Sequence, residues 1–196
     1  MVLKQYYHNW YKIPKAVRLF LIKGLILFIA WKLIYLLLLQ PSRIIDKPLT
    51  NFTAAGAIKI LSTLSNSSNY STQPEIDEYD ADGVHELQPV AAIYYKQEKI
   101  LSVADVCNAL ELFVLYAGFI ICFPAPIKRK IIFIIGGVIF IYCINMLRCA
   151  GLTWIFIRHP KYGDFSHHYL FTFIVYLSIF LLWFLFSKNT SVNAKA

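Results

Sequence analysis

The sequence predicts an all-α integral membrane protein of about four transmembrane helices, with a roughly 65-residue extracytoplasmic loop holding an interfacial helix and a short β-hairpin. Three observations predict it. The chain is 58% hydrophobic and only 15% charged, with a mean hydropathy of +0.56, too apolar for an ordinary soluble domain. Its apolar residues come in blocks near the roughly 20 residues that cross a bilayer as a helix, at 19–39, 106–123, 131–147 and 169–186. Basic residues flank these blocks on alternate sides, as they do in a chain threaded back and forth through a membrane. Residues 1–196 therefore read as a single polytopic membrane domain.

The charge pattern sets the topology. The formal net charge is +8, but it is not spread as a nucleic-acid footprint. Lys4, Lys12, Lys15, Arg18 and Lys23 precede or open the first block; Lys128, Arg129 and Lys130 fill the link between the second and third; Lys188 and Lys195 follow the fourth. The positive-inside rule makes these segments cytoplasmic, both termini with them, and puts the loop 40–105 outside. The first block is too long for a cleaved leader, and LLLLQPSRI offers no small-x-small cleavage site, so it reads as a signal anchor.

In order along the chain, residues 1–18 are basic and aromatic and suit a segment resting on the inner leaflet. The first block carries Lys32, a charge that is costly at membrane depth unless paired or snorkelling. Glu111, one turn into the second block, is its candidate partner; reaching the headgroups is the alternative. In the loop, Leu49, Phe52, Ala57, Leu61 and Leu64 fall along one helical stripe, predicting a helix over 49–65 on the outer leaflet. The run NSSNYSTQPEIDEYDADG that follows is polar, acidic and poor in aliphatics, and reads as a flexible loop; its acids lack an EF-hand spacing. VAAIYY and ILSVA around KQEK form the hairpin. Gly136-Gly137 in the third block reads as a close-packing point between helices. The stretch AGLTWIFIRHPKYGDF after Arg148 is suited to the outer interface.

On that topology three polar residues share the outer face. Cys107 opens the second block in the run Asp105-Val106-Cys107-Asn108, Arg148 closes the third, and His167-His168 opens the fourth. Their chemistry is coherent: a thiolate attacks carbonyl carbon, and nearby cations favour the thiolate. Arginine donates hydrogen bonds to the oxyanion of a tetrahedral intermediate, and histidine protonates a leaving amine. Asp105, Asn108, Glu111 and Lys32 are the supporting residues, with Asp105 a candidate cap for the helix. Taken singly, each of the three has a plainer role as core or anchor, and Cys107 with Cys149 as a disulfide is the chief rival at this face. The four cysteines make no C-x-x-C or zinc spacing; no metal and no cofactor is expected.

The segments CNALELFVLYAGFIICFP, NMLRCAGL and HHYLFTFIVYLSIFLLW resemble the core of the exosortase/archaeosortase family, polytopic cysteine transpeptidases of bacteria and archaea. The chain is similar in its compactness to the short exosortases of Bacteroidetes type. The resemblance implies Cys107 as nucleophile, Arg148 as oxyanion or carbonyl stabiliser, and His168 as acid/base, with His167 the alternative. Thr172, four residues after His168, favours that choice. Where the family has a glycine after its cysteine-asparagine pair, this chain has Ala109. The implied location is the bacterial inner membrane, with the site on the extracytoplasmic face. The implied partners are exported proteins bearing a C-terminal transmembrane sorting tail, together with membrane lipid; the acceptor is unassigned and no nucleic acid is involved. Other readings are a non-enzymatic subunit of an export or exopolysaccharide assembly system, and a thiol-disulfide membrane protein that cycles Cys107 with Cys149.

Overall fold

The computed structural model describes residues 14–81 and 84–193. Residues 1–13, expected on the inner leaflet, lie outside the described residues, as do Asp82 and Lys195.

Helix α1, Lys15–Ile34, continues through a wide turn at Tyr35–Leu39 into Gln40–Ser42. The run Lys15–Ser42 has no fully buried residue in its most apolar window: most of its side chains face outward as on a lipid-facing helix, while Phe20, Gly24, Leu27 and Trp31 form one half-buried face, with Phe20 meeting Phe119 and Phe123. At about 1.5 Å per residue it reaches about 42 Å, beyond the roughly 30 Å of a hydrocarbon core. It stops where Arg43 takes a left-handed conformation, φ 50°.

Helix α2, Asp46–Ser65, corrects the expected apolar stripe. Ala57 and Leu61 are buried as expected, but Phe52 and Leu64 point outward, 66% and 79% exposed. The buried face is instead Asp46, Thr50, Thr53, Ala54, Ala57 and Leu61. Small and polar side chains form it because this helix packs closely on another helix and on a sheet. A stripe sought among large aliphatics misses that.

The sheet has three antiparallel strands in the order β1, Tyr70–Ala81; β2, Val84–Tyr95; β3, Glu98–Ala104. The expected hairpin is β2–β3, closed at Lys96-Gln97, both at positive φ as a two-residue hairpin turn requires. The acidic run expected to be a flexible loop is largely strand β1, a correction with a clear cause. It pairs along the whole of β2, and β2 and β3 supply partners to two of its acids, Glu75 and Asp77. Glu75 accepts from the Tyr94 hydroxyl and, at 3.0 Å, from Lys99; Asp77 accepts from Lys99 and, at 2.5 Å, from the Ser102 hydroxyl. Tyr94 and then Lys99 hold the Glu75 carboxyl below its usual range.

Helix α3, Leu110–Cys122, is only 13 residues, about 20 Å, because residues 106–109 of the expected span are not α-helical. Helix α4, Ile127–Arg158, runs 32 residues without a break. The expected end near 147 is therefore passed, and the first nine residues of the expected interfacial stretch, 150–158, continue the same helix, about 48 Å long, while 159–165 leave it. Helix α5, Phe171–Asn193, follows short turns that begin at Pro160. Among the described residues three helices are long and apolar enough to cross a membrane: Lys15–Ser42, Ile127–Arg158 and Pro160–Lys188.

Two cores result. One, among α3, α4 and α5, gathers Tyr116, Ile120, Ile141, Val175, Ile179 and Phe186. Gly137 belongs to it: a Cβ there would meet the Tyr116 ring, whose hydroxyl donates to the Phe133 carbonyl at 2.8 Å. Gly136 faces open space, so only the second glycine of the pair is a packing point. The basic link closes this end: Lys130 donates to the Ile121 carbonyl at 2.7 Å, a cation set on the C-terminus of α3, and Arg129 donates to the Phe186 carbonyl at 2.6 Å. The other core joins α2 and the sheet to the far half of α4, through Ala54, Ala57, Ile93, Val103, Cys149 and Ala150.

Candidate active site

Cys107 stands in a tight 3-10 turn, Asp105–Cys107, ahead of α3 and beside that second core. Such backbone outside regular helix is tolerated at membrane depth where protein groups satisfy it. Here they do. The Cys107 carbonyl accepts from Asn145 Nδ2 on α4 at 2.8 Å. Asp105, expected to cap α3, instead forms a two-pronged pair with Arg43, 2.7 and 2.8 Å, and accepts from the Thr50 hydroxyl at 2.7 Å. The cap falls to Asn108, whose Oδ1 accepts from the Leu110 N–H at 2.9 Å. Its Nδ2 donates to Asp46 at 2.7 Å, a carboxylate 1% exposed. The residues on either side of the thiol are thus bolted to α2 or to the link before it. Between Asn108 and α3, Ala109 takes φ 71°, the left-handed region that favours the glycine found there in the resembled family.

Arg148 lies one turn beyond Asn145 on the same face of α4. It is not at a helix end, as the sequence suggests, since α4 runs on to Arg158. Its level is nonetheless telling: about 20 residues past Lys128, it stands about 30 Å along the axis, one hydrocarbon thickness from the basic link. The remainder of α4 projects past that level, against α2 and the sheet.

The histidines occupy a wide turn, Ser166–Leu170. His167 is half-buried and within electrostatic reach of Arg148, whereas His168 is exposed. Their rings meet edge to face at 4.8 Å. Thr172, whose spacing points to His168, donates its hydroxyl to the His167 carbonyl at 3.1 Å. The wide turn shifts the register by one residue, which spacing alone does not reveal.

A chamber of about 410 Å³ is lined by Asp105, Val106, Asn108, Glu111, Arg148 and Thr172 among others; of the three predicted site groups it takes in Arg148, while Cys107 and the two histidines are not in its wall. Val106 and Asn108, the neighbours of Cys107 on both sides, are in its wall. It adjoins an apolar cleft of about 290 Å³ between α1, α3 and α5, sharing Lys32, Glu111, Leu112 and Tyr176 with it. Lys32 donates to Glu111 at 2.5 Å across that junction, the pairing rather than the snorkelling, two readings the sequence leaves open. Cys107 and Cys149 are both free thiols. Asp77, an acid of the run considered for calcium, is engaged by Lys99 and Ser102.

Several residues of this site escape sequence reading. Asn145 had one signal, an amide within an apolar run three positions before Arg148. Arg43, Asp46 and Thr50 had none, lying where the chain turns between two helices with no periodic pattern.

Long apolar helices, a polar chamber lined by Arg148, and a thiol on a turn tied by Asn145 to the helix that carries Arg148 define a membrane protein with a candidate thiol centre. A model of the transmembrane exosortase family matches residues 14–187, and the chain belongs to that family. No curated protein and no solved structure matches it.

Proposed function

We propose that this exosortase is a membrane-embedded cysteine transpeptidase that cleaves C-terminal sorting tails from exported proteins and passes them to an acceptor. The observation that carries this reading is the hydrogen bond from Asn145 to the Cys107 carbonyl, which ties the thiol-bearing turn to the helix face that presents Arg148. Family membership supports the same chemistry. In the proposed orientation the Lys128–Lys130 link is cytoplasmic and the chamber faces outward, with Leu110–Cys122 as a short fourth membrane segment.

The Cys107 thiolate attacks the carbonyl carbon of the scissile peptide bond, forming a C–S bond. Arg148 donates to the oxyanion that develops, a contribution commonly worth about 3 kcal/mol in the barrier. The imidazole, which took the thiol's proton as the thiolate formed, gives that proton to the departing amine as the C–N bond breaks, and the tail leaves. His167 is assigned this role, being half-buried and within electrostatic reach of Arg148. An acceptor amine, or water, then gives up a proton to that imidazole and attacks the thioester; the sulfur departs and takes that proton back, restoring the thiol. A substrate tail that is itself a membrane helix arrives at fixed depth, so the search for the thiol becomes nearly two-dimensional.

Co-expression with an exported protein carrying such a tail tests this. Cys107→Ser, Arg148→Ala and His167→Ala abolish the processed band on an immunoblot, while His168→Ala retains it. Processing that survives Cys107→Ser removes the enzyme reading, and processing lost in His168→Ala but kept in His167→Ala reverses the histidine assignment.

A further inference from the structure

Asn145 is 0% exposed, in the middle of an apolar helix, and engages one of its two polar side-chain atoms. Its Nδ2 reaches the Cys107 carbonyl; its Oδ1 has no partner. Among the described residues the other buried side-chain atom without a partner is Arg148 Nε, one turn away. A buried, half-satisfied amide is costly, and a leucine of similar bulk in this apolar setting avoids that cost. Packing therefore does not explain an asparagine here, whereas its bond to Cys107 does.

We infer that Asn145 is a positioning residue for Cys107, fixing the thiol against the helix face that bears Arg148. The turn that holds Cys107 has no helical or sheet ladder to set its place. Its neighbours Asp105 and Asn108 are tied to Arg43, Thr50 and Asp46, on and just before α2. Asn145 is the side chain that ties Cys107's own backbone to α4, linking residues 38 apart in sequence. Without it the turn follows α2 alone, and the separation of sulfur and guanidinium is no longer fixed. Arg148 Nε stays unpaired in the resting protein, free to donate once a carbonyl oxygen arrives. This inference rests on the reading of Cys107 as the nucleophile.

The test uses the full chain in lipid nanodiscs, treated with iodoacetamide at neutral pH, with the alkylation rate of each cysteine followed by mass spectrometry. Wild-type Cys107, held as an activated nucleophile, is alkylated faster than a free thiol in the same buffer. In Asn145→Leu the Cys107 rate falls about tenfold. Exposed Cys143 reacts as before. Should the leucine variant melt early, Asn145→Ser, which is small, polar and too short to reach the carbonyl, is read the same way. A fast wild-type rate that neither variant lowers overturns the tether alone. A wild-type Cys107 that reacts no faster than the free thiol overturns both the tether and the nucleophile reading.

Discussion

The Lys32–Glu111 pair offers a quantitative test of how this bundle sits in its membrane. The ammonium and carboxylate are 2.5 Å apart, with side-chain exposures of 38% and 60% in the bare protein. In water a pair so exposed contributes about 0.2–1 kcal/mol. Lys32, however, lies about 26 Å along α1 from Lys15, still within a roughly 30 Å hydrocarbon core, and both residues wall the junction of cleft and chamber. A lysine stranded at such a site costs about 2.5–3.5 kcal/mol on insertion scales, so removing its partner takes away most of that compensation. Lys32→Met and Glu111→Leu should therefore each destabilise by about 2 kcal/mol. The double variant, carrying no charge, should lose about 1 kcal/mol or less, a coupling of about 3 kcal/mol. Tryptophan-fluorescence melts in nanodiscs report it, as drops of roughly 4–8 °C in each single variant and substantial recovery in the double. If the double loses as much as the two singles combined, the charges act independently and the lysine is solvated by headgroups.

Further predictions follow from the packing and the polar braces. Gly137→Ala drives a methyl into the ring of fully buried Tyr116 and should cost about 1–3 kcal/mol, read as a lower melting temperature; Gly136→Ala, facing open space, should cost little. Asn108→Asp sets a second carboxylate against buried Asp46 and should destabilise more than Asn108→Ala, in the same melts; the reverse order would mean that Asn108 acts through its cap alone. The Glu75 carboxyl is held below its usual range by the Tyr94 hydroxyl and then by Lys99. A carboxyl lowered in the folded state stabilises above its unfolded value, and that contribution is lost as pH falls through the folded one. Hydrogen-exchange protection of β1 should accordingly weaken on acidification through and below the ordinary carboxylate range. Lys99→Met should flatten that dependence, and an unchanged profile in the variant would count against the cluster.

The sequence carried much of the architecture and less of the site. Long apolar blocks are legible because lipid imposes length and composition together, so α1, α4 and α5 stand out. The helix at Leu110–Cys122 is shorter than its block because residues 106–109 run on from the apolar stretch yet are held in a turn by contacts from distant residues. Strand β1 is invisible to hydropathy, since two of its acids, Glu75 and Asp77, find partners in Lys99, Tyr94 and Ser102 from other strands. Cys107 and Arg148 were legible as polar residues at block ends. Their braces were not, because Asp46, Thr50 and Asn145 matter through partners tens of residues away. The choice between His167 and His168 turns on a wide helical turn that residue spacing does not encode.

The most direct test of the central claim, a thiol and a guanidinium gathered at the outward end of this bundle, is labelling of intact cells with a membrane-impermeant maleimide. Cys107 should react from outside in otherwise wild-type protein, while a cysteine introduced by Lys128→Cys should react only after the membrane is opened. A Cys107 that labels only in opened cells, alongside a Lys128→Cys site that labels from outside, would put the chamber in the cytoplasm and contradict the account.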